Sequence, residues 1–211
     1  MEWVGRASTV RILWCKFNGL VVIWYCGGRL ATTIFEGLTI SVQEELVDEL
    51  ERCESATCFI KTSHKLIKIE LQKLLPRVFV QDPLVIEYAV TPLLKEDGPL
   101  VEIDVVSKLM FAMGKISMET YADIGLFDQM YEYVRHQPEE ISFGDDMVYD
   151  FISNQSNLAK AEGSIYLDSI NQLKFSSFDS FSQTRYEALI KTVLKLCCEG
   201  LLETVENEIL N

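Results

Sequence analysis

The apolar positions of this chain change their period near residue 35. Ahead of that point, two runs rich in β-branched and aromatic residues, Val10 to Phe17 and Leu20 to Cys26, flank Asn18-Gly19. A two-residue hairpin turn needs positive φ at both central residues, and Asn-Gly accepts it. The spacing predicts a hairpin with Phe17 opposite Leu20, Cys15 opposite Val22 and Leu13 opposite Trp24. Gly27-Gly28 offers a second turn into a third strand, Arg29 to Phe35.

After Phe35 the period becomes helical. Ser41-Val42-Gln43-Glu44 reads as a capping box, followed by Leu46, Val47, Leu50 and Cys53 on one face of a helix ending near Arg52 to Glu54. A second helix is expected over His64 to Leu75, stopped by Pro76. Asp82-Pro83 opens a third, running through Val90, and Asp97-Gly98-Pro99 marks a turn. In the C-terminal half the same pattern pairs helices. Asp104–Met113, closed by Gly114, precedes Asp123–Arg135. The box Ser142 to Asp145 opens a helix that pairs with Ile165–Leu173. Ser182 opens a helix closed by Gly200 and paired with Leu201–Leu210. Helix starts near 104, 143 and 182 recur at about 39 residues, a helical-repeat period.

The expected fold class is therefore mainly α: a helical-repeat, α-solenoid-like array over residues 100–211, an irregular helical region over 36–99, and an apolar, basic N-terminal segment over 1–35. Stacked helix pairs each leave one apolar face open until a neighbour covers it. An irregular helical bundle is the alternative reading of the same pattern.

The segments DVVSKLMFAMGKISMETYADIGLFDQMYEYV and DDMVYDFISNQSNLAKAEGSIYLDSINQL resemble the degenerate helix-pair repeats of FAST-kinase-type and RAP-associated organellar proteins. The resemblance covers residues 100 to 210. It implies a mitochondrial protein, otherwise a cytoplasmic one, in an RNA-processing or ribosome-associated assembly. No RAP-like terminal domain follows here, and the repeat body is acidic where an RNA-binding array is basic.

Charge sharpens this picture. The net charge is −13 with 48% hydrophobic residues, the composition of a folded domain. Residues 1–35 carry Arg6, Arg11, Lys16 and Arg29 against Glu2, so the rest of the chain holds more than the whole acidic excess. Such a body repels phosphate backbones. The expected partners are basic proteins, with nucleic acid reached only indirectly. Direct RNA binding and a membrane-tethered acidic scaffold are the alternatives. The first 35 residues fit a hairpin or an acid-poor import signal; a membrane span needs about 20 apolar residues, and Lys16 and Asn18 interrupt this stretch.

Candidate chemistry is sparse. Six cysteines in a chain of this length favour reduced thiols over a disulfide framework. Cys53-x4-Cys58-x5-His64 has metal-like spacing without an evident fourth ligand, and Cys53 falls on a core face. Cys197-Cys198 lie within one helix, so only one of them is expected to face the core. His136 beside Arg135 suits a helix C-terminus, and His64 has no linear Ser/Cys–Asp constellation around it. No phosphate-binding glycine motif occurs. The expectation is a non-enzymatic interaction protein with no catalytic residue, cofactor or metal. Tyr133 and Tyr149, off the apolar stripes, are the candidate protein-contact residues.

Overall fold

The computed structural model describes residues 16–17, 20–21, 45–79, 82–95, 98–158, 161–175 and 180–210. The chain divides into two units between Glu45 and Leu46. In the first, strands β1 (Lys16–Phe17) and β2 (Leu20–Val21) pair antiparallel with Phe17 opposite Leu20. The longer hairpin, the third strand and the Ser41–Glu44 box lie outside the described residues.

The second unit is mainly helical. Its helices are α1 (45–52), α2 (Ala56–Val78), α3 (83–93), α4 (Ile103–Ala112), α5 (Met118–His136), α6 (Asp146–Ser153), α7 (Ala161–Phe175) and α8 (Ser180–Leu210). Helix α1 closes at residue 52 as its periodicity predicts, with Leu46, Leu50 and Cys53 buried. Helix α2 starts eight residues before the expected His64. Ser55 is its N-cap, accepting a hydrogen bond from the Cys58 N–H at 3.2 Å. It also runs through Pro76 to Val78, because a proline in the last turn removes only one ladder bond and leaves little helix beyond to disrupt. Its long buried face, including Phe59, Ile60, Leu66, Ile67, Leu71, Leu74 and Leu75, supplies the compensating burial.

Asp82 and Pro83 do open a helix, and Leu84 N–H donates to the Asp82 carboxylate at 2.9 Å. It continues past Val90 as a π turn over Ile86–Val90, into Thr91–Leu93. Pro92 has no N–H and its ring crowds the carbonyl four residues back, so the ladder widens there. Thr91 closes the widened turn, its N–H and hydroxyl both donating to the Ile86 carbonyl.

Helices α4 and α5 form a hairpin whose corner is Gly114 at φ +67°, the left-handed geometry that favours glycine. Helix α5 starts at Met118, one turn ahead of the expected Asp123. Ser117 is the N-cap and accepts from Thr120 N–H at 3.1 Å. Glu208, at the far end of α8, accepts from Ser117 N–H and from Thr120 Oγ1, both at 3.0 Å. A carboxylate there meets the positive end of the α5 dipole.

The stacked array of three pairs is not what the described residues form. Gly200 does not end a helix, and α8 runs unbroken for 31 residues. Tyr186, Ile190, Val193, Leu194, Cys197, Cys198, Leu201, Val205 and Ile209 keep it buried along its length, and that burial outweighs the roughly 1 kcal/mol propensity cost of one interior glycine. Helix α2 packs against α4, α5 and α8, and α8 also meets α5, α6 and α7. A repeat array touches only its sequence neighbours. Here α2 and α8 are shared by the whole unit, which makes it a bundle. Because α8 is surrounded, both Cys197 and Cys198 are buried, where the sequence pattern allows only one.

Two joints lock the ends of the bundle. Lys191 Nζ donates to the Glu51 and Cys53 carbonyls at 2.7 and 2.6 Å, capping the C-terminus of α1. Ile141 accepts from Ala56 N–H at 2.9 Å and donates its own N–H to Thr57 Oγ1 at 2.9 Å, tying the 137–145 loop to the start of α2.

Candidate functional site

The α4–α5 hairpin and the turn after α6 enclose an open groove of about 440 Å³. The α4 wall contributes Asp104. Helix α5 contributes Tyr121, Ala122, Gly125, Leu126, Asp128 and Gln129, and Asn154 closes one end. These positions are the outer face of α5, complementary to the inward set Thr120, Asp123, Ile124, Phe127, Met130 and Val134. Asp123 is buried and accepts from Ser156 N–H at 2.9 Å and Ser156 Oγ at 2.5 Å, which fixes the turn that carries Asn154.

The walls combine acid with aromatic surface. Tyr121 stacks on Phe111 with centroids 5.0 Å apart. Asp104 pairs with Lys108 at 2.7 Å, but both side chains are more than half exposed, so solvent weakens the pair. Asp128 is held differently. His64, midway along α2, places Nε2 3.0 Å from Asp128 Oδ1, and its ring stacks on Tyr131 at 3.7 Å with an interplanar angle of 8°. A carboxylate only accepts, so Nε2 carries the hydrogen. Burial pushes the His64 pKa below its ordinary value against the opposing pull of Asp128, which favours a neutral ring donating to that carboxylate.

The two tyrosines singled out in the sequence separate. Tyr133 is exposed and continues the groove-lining face of α5, four residues beyond Gln129. Tyr149 is half-buried in the α6–α7 joint; its hydroxyl donates to Asn171 Oδ1 at 2.8 Å and Lys174 Nζ sits 4.4 Å over its ring. His136 ends α5, with Nδ1 2.7 Å from the Glu132 carbonyl, as expected of a helix C-terminus. Cys53 lies in the core 4.0 Å from Thr62 Oγ1 and beside Cys58, while the His64 ring turns to Asp128, so the three residues of Cys53-x4-Cys58-x5-His64 do not converge on one point. The His64–Asp128–Tyr131 group escapes a linear reading because 64 residues separate its first two members. Helical phase was the only available signal, since it sets Asp128 and Tyr131 one turn apart.

Comparison with known proteins turns on the region that builds this bundle. Residues 42–206 match the model of the mannitol repressor family, MtlR. The chain belongs to the mannitol repressor family. Fumarase E of Escherichia coli K12 is 36% identical, over 76% of this chain and 95% of its own length. A crystal structure described as a possible transcriptional regulator YggD, from Shigella flexneri 2a, superposes with a TM-score of 0.68 at 31% identity, covering 77% of this chain and 96% of that one. The Escherichia coli MtlR–HPr complex gives 0.63 at 23% identity, with 78% and 98% covered, and shares the fold.

MtlR membership overturns the resemblance to FAST-kinase-type and RAP-associated proteins. Apolar helix, short turn and apolar helix is a pattern that any helical hairpin of a bundle produces, so it carried no family information. The organellar RNA-processing role falls with it, because the MtlR family is one of repressors. The mitochondrial placement falls too, since these relatives are bacterial. The family is named for a repressor, in agreement with the expected non-enzymatic role, while the 36% identical relative carries an enzyme's name, Fumarase E. Among the described residues no helix is long and apolar enough to cross a membrane.

Proposed function

We propose that this protein is a transcriptional regulator of the repressor type that acts by binding another protein, with HPr the first partner to try, and reaches DNA only through such contacts. The match of residues 42–206 to the mannitol repressor family carries the reading. The net charge of −13 supports a protein partner over a phosphate backbone, and a basic one in particular. The α5 face, with Asp104, Asp128 and the exposed Tyr133, is the proposed contact surface. Tyr149 contributes indirectly, by holding α6 to α7.

Titration calorimetry of the purified chain with HPr of the same organism tests the reading. Binding that weakens as salt rises supports it. A sequence-specific shift of operator DNA by the purified chain alone, with no HPr binding, overturns it. Fumarate hydration is a necessary control, given the name of the 36% identical relative. A groove walled by Asp104 and Asp128 repels a dicarboxylate, so no turnover of fumarate or malate is expected; robust turnover would refute the regulator reading.

A further inference from the structure

We infer that the outer face of α5 receives a helix of the partner protein bearing a Lys or Arg side chain, with Gly125 as the point of closest approach between the two backbones. The inference rests on the protein-binding reading and specifies the geometry and chemistry of that contact.

Gly125 is the first observation. It sits in the middle of α5, where glycine weakens a helix. Two other glycines have internal reasons to be glycine. Gly114 has φ +67°, and a Cβ on Gly98 would lie 2.1 Å from the Leu93 carbonyl oxygen. Gly125 has neither: its φ is not positive, and an added Cβ would meet nothing within 4 Å. The absent side chain instead opens the groove floor.

The second observation is the seam around it. Ala122, Gly125, Leu126, Gln129 and Tyr133 recur at three- and four-residue steps on one outward face of α5. From 122 to 133 this is about 17 Å at about 1.5 Å per residue, or three turns. Small residues in the first turn of the seam with larger ones beyond suit a second helix crossing near Gly125, because interaxial distance is set by the side chains at the crossing.

Charge is the third. Asp104, paired with the largely exposed Lys108, and Asp128, which accepts from His64, both line the groove. The stacked Tyr121–Phe111 pair lies beside them. Acid flanked by aromatic surface accommodates the aliphatic stem and cationic head of Lys or Arg.

Two probes test this on the intact chain: HPr, and a 15-residue amphipathic helical peptide of Lys, Leu and Ala. Gly125→Ala is the decisive variant, because it should raise Tm through helix propensity while weakening both probes about tenfold. Asp128→Asn, which still accepts the His64 hydrogen bond, should weaken them and flatten their salt dependence. Backbone amide shifts caused by the peptide should centre on residues 121–133. Unchanged affinity in Gly125→Ala, or shifts centred elsewhere, overturns the inference. HPr binding that ignores Gly125→Ala sinks the groove and leaves the regulator reading intact. Peptide binding that obeys it without HPr binding does the reverse. Binding of neither probe refutes both.

Discussion

At the scale of single residues, the chemistry is set by what buries each group. His64 sits between the stacked Tyr131 ring and Asp128, with Lys68 disfavouring and Glu132 favouring its proton, and burial dominates. Its pKa is lower folded than unfolded, so as pH falls the unfolded chain takes up the proton first. Stability should be full above about pH 6.5, decline as pH falls through the window down to the lowered folded value, and flatten below it. Denaturant melts from pH 8 to 5 check this, and His64→Phe should remove that part of the slope. The thiols follow the same logic. Burial raises Cys53 and Cys198 to about 12 and raises Cys197 as well. Since the thiolate is the reactive form, a thiol reagent at pH 8 should leave these three unmodified in the native protein and label them on unfolding. Peptide mapping localises the label, and native-state modification of Cys197 would contradict the packing of α8.

At the scale of elements, stability depends on caps that come from elsewhere in the chain. Glu208→Ala removes the carboxylate that accepts from Ser117 N–H and Thr120 Oγ1, leaving the Ser117 cap itself, and should cost about 1 kcal/mol, read from chemical denaturation. Gly114→Ala should cost about 1 kcal/mol, because its φ of +67° strains any residue with a Cβ, and it should disturb the α4–α5 hairpin that carries the groove. The sequence marked Gly114 and Asp82-Pro83 correctly because each acts locally, through a single φ or a single cap. It misjudged Gly200, which has the same composition signal as a terminator. Nothing near Gly200 in sequence shows that α8 is buried on several sides, and that burial carries the helix through.

At the scale of the molecule, α2 and α8 are held in common by their neighbours, and this distinguishes a bundle from an array. Truncation after Glu199 would remove Leu201, Val205 and Ile209 from the core together with Glu208. A solenoid losing a terminal unit keeps its remaining repeats. This unit should instead lose its cooperative transition altogether, seen as loss of near-ultraviolet dichroism and a broad melt. A truncated chain melting sharply near the parent temperature would restore the array model.

The apolar period and the charge balance by themselves determined that the chain is mainly helical, where many of its helices run, that its body is acidic, and that Tyr133 faces outward. These are properties of one helix or of a sum over residues, so neighbours in space are not needed to read them. Only the tertiary structure decided that α8 is continuous, that both Cys197 and Cys198 are buried, that His64 meets Asp128, and that Asp104, Gly125 and Asn154 bound one groove. Each of these depends on which helices lie side by side, and the one-dimensional apolar pattern leaves that choice degenerate: the same stripe can face a sequence neighbour or a helix more than a hundred residues away.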